Sequence, residues 1–170
     1  MKTFDEILKG GDLRSIGEAN KVVKQVKNQD NFDFLFKGLF NSDRKIVMRT
    51  ADALEKISIS KPEFLKKHKN EILELCENAR HIELKWHLAL MISRLPLTEK
   101  ETGRVWQLLT EWATDQKASR IVRVNSVQSL FNLLQNNIEL NQDLKFTIDK
   151  ILKENIPSLN ARISKLKNFA

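Results

Sequence analysis

The sequence predicts an all-α protein made of stacked helix pairs, and three observations carry that prediction. Apolar residues recur at helical spacing almost throughout: Leu13, Ile16, Val23, Val26; then Phe32, Leu35, Phe36, Leu39; then Ile72, Leu75, Cys76. Helix-start signals fall where those patterns begin. One helix face returns every 38 residues. No stretch shows the Val/Ile/Thr alternation bounded by Gly or Asn-Gly that a hairpin needs.

The elements follow in order. Helices are expected near 3–9, 12–28, 31–40, 43–58, 62–78, 81–95, 99–114, 118–135, 140–154 and 157–168. Gly10-Gly11 marks the first break, and Asp12 precedes the first long helix. Ser42-Asp43 opens another. Ser60-Lys61-Pro62-Glu63 and Thr98-Glu99-Lys100-Glu101 both read as capping boxes, with Pro62 tolerated in a first turn. Asn136-Asn137 is a break, and Pro157 suits the start of the last helix.

Composition bounds the class. At 170 residues the chain has the size of one domain, and its hydrophobic share of 41% supports a core. Gly and Pro together number only eight, against disorder or a loop-rich fold. No apolar run approaches the roughly 20 residues of a membrane span. Asp5 and Glu6 stand where a signal peptide would be apolar, so secretion is not expected. A single cysteine, Cys76, excludes an internal disulfide and fits a reducing, cytoplasmic compartment.

The repeat is explicit. Ile46, Thr50, Ala53, Leu54 and Ile57 shift by 38 to Leu84, Leu88, Met91, Ile92 and Leu95. A second shift of 38 gives Val122, Ser126, Ser129, Leu130 and Leu133, and Leu159, Ile163 and Leu166 follow more loosely 37 later. Those offsets cover one face of a helix, so each repeat supplies an equivalent inner helix. An amphipathic outer helix precedes each one. Neither helix can bury its face except against its mate and its neighbours, which makes a solenoid. A second stripe, Met48, Trp86, Val124, Ala161 and Ala51, Ala89, Val127, Ser164, is small or apolar, as expected where adjacent pairs touch.

This pattern resembles the HEAT-repeat family of armadillo-type α-solenoids. The resemblance rests on the second-helix signature, an aliphatic-Arg pair followed by small and leucine positions. It stands as Val122-Arg123, Ser126, Ser129-Leu130, Leu133, and partly as Ile46, Thr50, Ala53-Leu54, Ile57. The chain departs from it at Val47, in the usual arginine position, and at Leu88 and Met91, which replace small residues. The resemblance implies a right-handed α-α superhelix of about four to five pairs. It would be one domain over 1–170, with 3–28 a degenerate capping pair and repeats at 30–58, 62–95, 99–135 and 140–168. A tetratricopeptide reading rests on Pro62 and Pro96, 34 residues apart, and lacks that family's small-residue signature.

Catalytic motifs are absent from the sequence. His68, His81 and His87 lack i, i+4 metal spacing, and there is no HExxH, CxxC, GxGxxG, phosphate-loop or GxSxG pattern. Cys76 lies on an apolar face with Ile72 and reads as a buried structural thiol. Glu71–Glu74 and Glu99–Glu101 fall in first turns or solvated faces. Neither a cofactor nor a metal is expected.

Net charge is +7, and along the chain it is diffuse, with no basic block beyond Lys66-Lys67-His68-Lys69. Sorted by repeat it is not. The inner helices (43–57, 80–95, 117–134, 157–170) hold 13 basic and 4 acidic residues, leaving the rest of the chain at −2. The ridge facing away from the packing stripes reads Arg49, Asp52, Lys56; His87, Leu90, Arg94; Asn125, Gln128, Asn132; Arg162, Lys165, Phe169. Candidate binding residues on it are Arg49, Lys56, His87, Arg94, Asn125, Gln128, Arg162 and Lys165.

A sign-biased ridge predicts a non-catalytic binding module or adaptor for an acidic protein segment, anchored by Arg49, Arg94 and Arg162. The alternative is a DNA- or RNA-binding protein, since the same cations would meet phosphates. HEAT-like alkylpurine DNA glycosylases bind DNA with aromatic and acidic residues in the concavity. Here Trp106 and Trp112 sit beside Val105, Leu108 and Leu109, where packing is the better reading, and Trp86 occupies a repeat-equivalent apolar position. Trp112-x-x-Asp115 is weak as a catalytic pair. No tyrosine supplies a stacking platform.

Overall fold

The computed structural model describes Phe4, Leu8 and residues 19–167. The helix expected at 3–9, the Gly10-Gly11 break, the start of the helix expected at 12–28, and Phe169 lie outside the described residues. Among the described residues there are nine α-helices and no strand. They are α1 (Ala19–Gln25), α2 (Gln29–Phe36), α3 (Arg44–Ser60), α4 (Lys69–Asn78), α5 (Ile82–Ile92), α6 (Glu99–Thr114), α7 (Arg120–Leu134), α8 (Asn141–Leu152) and α9 (Pro157–Lys167). Three 3₁₀ segments, Lys37–Phe40, Pro62–His68 and Ile138–Leu140, join them.

Local chemistry explains most boundaries. Asn28 caps α2 by accepting from the Asn31 amide at 2.9 Å, and Asp43 caps α3 by accepting from Lys45 at 2.8 Å. Thr98 and Glu101 form the expected capping box, each side chain accepting from the other's amide, at 3.3 and 2.7 Å. The box expected at Ser60–Glu63 does not form. Ser60 belongs to the last turn of α3 and donates to the Ile57 carbonyl at 3.3 Å. The segment expected as one helix over 62–78 opens instead as a 3₁₀ helix. Three residues per turn put Leu65 and His68 on the same edge, and both are buried.

The chain divides into two compact units, Met1–Lys69 and Asn70–Ala170. In the first, α3 is central and packs on α1, α2 and both 3₁₀ segments. Phe32 and Phe36 are buried, and the His68 ring stacks on Phe36 at 3.9 Å with 15° between planes. Gly38 lies against α3 so closely that a Cβ there would meet Thr50 Oγ1 at 2.5 Å. Only glycine fits, because the branched Thr50 side chain has little freedom to give way.

The second unit has two layers. α5, α7 and α9 lie side by side, with α7 between the other two. On the other layer α6 packs on α7 and α8, and α8 on α9. This is helix-pair stacking, and the 38-residue template marks its core. In the second unit Leu84, Leu88, Met91, Ile92, Leu95, Val122, Ser126, Ser129, Leu130, Leu133, Leu159 and Ile163 are buried and Leu166 is half-buried; in the first unit the equivalent Ile46, Thr50, Ala53, Leu54 and Ile57 are buried. The second stripe is buried at Met48, Ala51, Ala89 and Val127, half-buried at Trp86 and Val124, and exposed at Ala161 and Ser164. Those last two face no helix among the described residues.

Polar atoms also fix the stack. Ser129 Oγ donates to the Ala89 carbonyl at 2.6 Å and Asn125 Nδ2 to the Trp86 carbonyl at 2.9 Å, both tying α7 to α5. Arg123, 1% exposed, sends Nε to the Ala113 carbonyl at 2.8 Å and both terminal nitrogens to Glu154, each at 2.8 Å. This bidentate pair joins α7 to the end of α6 and to the turn after α8. Trp106 and Trp112 are buried in the second unit's core. The Trp106 indole donates to Asp143, and Lys85 Nζ lies 5.3 Å from the Trp112 ring centroid.

Leu88→Ala removes a fully buried side chain from the α5–α7 contact. It should cost about 2–5 kcal/mol in denaturant unfolding, and wild-type stability in that variant would refute the assigned core face. Glu154→Ala leaves a buried guanidinium without its carboxylate. A loss of about 3 kcal/mol is expected, against far less for the exposed Glu139→Ala.

Candidate functional site

The ridge residues separate into those used internally and those that line a groove. Arg49 is 1% exposed and donates to the Leu8 carbonyl at 2.5 Å, so it holds the first unit together and presents no charge to a ligand. Lys56 pairs with Asp52 at 2.7 Å, one turn back, and reaches Asn20 Oδ1 at 3.0 Å. In the second unit His87 is buried edge-on to Trp86, and Asn125 is buried on the Trp86 carbonyl. Arg94 is half-buried. The expectation of an exposed ridge is corrected at Arg49, His87 and Asn125. The reason is physical: near the packing stripe Arg49 and Asn125 bond carbonyls of other segments rather than water, and His87 packs against the Trp86 ring on its own helix.

Gln128, Arg162 and Lys165 are brought together. They line a groove between α7 and α9 of about 570 Å³, with Phe131, Asn132, Leu134, Gln135, Ile138 and Leu166. Arg162 donates to Gln128 Oε1 at 2.6 Å, which orients the guanidinium without neutralising it. Gln128 in turn donates to Asn132 at 3.0 Å, and Asn132 to Ser93 Oγ at 3.3 Å. Lys165 is exposed. Among the described residues no carboxylate lines the groove. α7 and α9 together carry Arg120, Arg123, Arg162, Lys165 and Lys167 and no acidic residue.

Apart from Leu166, which belongs to the repeat template, the apolar half of this groove was not singled out by sequence reasoning. Phe131 and Leu134 fall outside the repeat template, and their signal was apolar character at positions the core does not use. Ile138, in the following 3₁₀ turn, is 73% exposed. A neighbouring groove of about 490 Å³ shares Phe131 and Leu134 and continues to Leu144, Lys145, Ile148 and Asp149 of α8.

Two other clusters have the composition of chemical sites but act structurally. Burial of Cys76 pushes its thiol well up, against use as a nucleophile. In the first unit, His68 Nε2 lies 2.7 Å from Asp33 Oδ1, beside the Gln29 amide, also at 2.7 Å, and Lys67 on Oδ2. Gln29 also donates to the Phe64 carbonyl at 3.1 Å, so the cluster fastens the Pro62–His68 segment to α2. Among the described residues no group of three His, Cys, Asp or Glu could hold a metal ion, and no helix is long and apolar enough to cross a membrane.

The Asp33 cluster sets an acid limit. Burial alone would raise the Asp33 carboxyl, but donors from Lys67, Gln29 and His68 prevail and hold it down at about 2. Glu154 is likewise held below its ordinary value, chiefly by hydrogen bonds from Arg123 acting against its burial. Folded-state values below the unfolded ones stabilise the fold above about pH 4, and that stabilisation is lost as pH falls toward 2. Asp33→Asn should remove about 2 kcal/mol of the wild-type loss between pH 5 and pH 2. Equal acid sensitivity of the two proteins would refute the assignment.

Comparison with known proteins gives one family. A model described as a HEAT repeat domain matches residues 11–168. No curated protein and no solved structure matches the chain. HEAT repeats generally serve as protein-interaction scaffolds, and the family is typically non-catalytic. With a family match over nearly all of its length and helix pairs stacked on the repeat template, the chain belongs to the HEAT-repeat family.

Proposed function

We propose that the chain is a non-catalytic binding module, acting in the reducing cytoplasm, which docks an acidic protein segment in the α7–α9 groove. One observation carries the reading: Arg162 and Lys165 line that groove together and, among the described residues, no carboxylate does. An exposed helix face ordinarily mixes signs, and a surface of one sign selects partners of the other while rejecting like charge. Gln128 adds geometry. By accepting one guanidinium N–H it limits the conformations of Arg162, so less side-chain freedom is lost when a carboxylate arrives.

The same cations suit phosphate, so the test separates the two ligands. The protein is immobilised and exposed to cell lysate with and without nuclease. Acidic protein partners should be retained in both cases, and Arg162→Glu with Lys165→Glu should weaken the retained partner about tenfold or more. Lys100→Glu, an exposed change in the first turn of α6, should leave it unaltered. Binding untouched by the double reversal refutes the groove. Retention abolished by nuclease assigns it to nucleic acid instead.

A further inference from the structure

The groove's amide side chains and its apolar floor say what form the docked segment takes, an inference that rests on the reading above. A segment can bind extended or helical, and the difference lies in who satisfies its backbone. An extended peptide has open N–H and C=O groups, which need either a sheet edge or a row of side-chain amides. Among the described residues there is no strand to supply an edge. The amides that line the groove are Gln128, Asn132 and Gln135; the stack already uses the first two, and the exposed Gln135, just past the end of α7, is a single amide rather than a row. Gln128 donates to Asn132 while accepting from Arg162, and Asn132 donates to Ser93. Turning them toward a ligand would break the bonds that join α5, α7 and α9.

A helical segment brings its backbone already satisfied. It needs only an apolar seam and flanking charges. Phe131 and Leu134 supply the seam one turn apart on α7, Ile138 extends it from the following 3₁₀ turn, and Leu166 lies across the groove. Arg162 and Lys165 lie on the α9 side of the same groove. We infer that the α7–α9 groove takes an amphipathic helix whose apolar face meets Phe131, Leu134, Ile138 and Leu166. Acidic residues along one flank of that helix pair with Arg162 and Lys165.

Fluorescence anisotropy with three labelled peptides of equal length tests this. One is an amphipathic Leu/Glu/Ala helix with leucines at i, i+3, i+4 and i+7. The second has the same composition scrambled so that no face is apolar, and the third is oligoglutamate. The amphipathic peptide should bind about tenfold or more tighter than the scrambled one. Arg162→Glu with Lys165→Glu should abolish that binding. Ile138→Ser, at a side chain too exposed to endanger folding, should remove most of the preference for the amphipathic peptide. Equal binding of all three peptides, lost on charge reversal, overturns the helical partner and leaves the acidic-segment reading standing. Amphipathic binding indifferent to charge reversal overturns the acidic partner. No binding by any peptide overturns both.

Discussion

The buried guanidinium of Arg123 is the constraint on which the second unit depends. A charge withdrawn from water must find full compensation, and this one finds it in three places at once: a carbonyl at the end of α6 and two oxygens of Glu154 beyond α8. The bidentate geometry tolerates little displacement. It therefore fixes the position of α7 relative to the helices of the other layer, where apolar packing alone would allow sliding. α7 is also the helix with neighbours on both sides in its own layer, α5 and α9. A register set at α7 is passed in both directions.

Small residues make that transmission close-range. Ser126 bonds the Val122 carbonyl within its own helix at 2.8 Å, while Ser129 reaches the Ala89 carbonyl on α5. Ala89 carries only a methyl group, too small to keep the helices apart, so a hydroxyl can touch a neighbouring backbone. A larger pair would restore apolar contact at a greater separation and forfeit the hydrogen bond. The polar ladder above it, from Trp86 and Ser93 through Asn125, Asn132 and Gln128 to Arg162, follows the same direction across the layer. It rigidifies the floor of the groove and leaves cationic groups at its α9 end.

That arrangement changes how the basic character of the chain reads. The surplus on the inner helices is real in the sequence, yet part of it is consumed within the fold. Arg49 serves the Leu8 carbonyl, Lys56 serves Asp52, and Arg123 serves Glu154. What remains in the groove is concentrated at Arg162 and Lys165. A local excess next to an apolar floor discriminates between ligands in a way that a diffuse one does not.

The sequence by itself determined the helices, the repeat and the core face. Those properties are local and periodic: burial on a helix recurs with the turn, so Leu88, Met91 and Ile92 announce their side before any neighbour is known. Caps were legible at Asp43 and Thr98 for the same reason, since donor and acceptor lie within one turn. Ser60–Glu63 misled because the competing acceptor, Ile57, lay in the preceding helix, and the 3₁₀ turn that followed buries Leu65 and brings His68 onto α2. Tertiary structure alone decided which cations face inward, because the partner of Arg49 is 41 residues away and that of Arg123 is 31. It also decided the groove, whose walls come from α7 and α9. Spacing along one helix cannot report what a second helix brings opposite it.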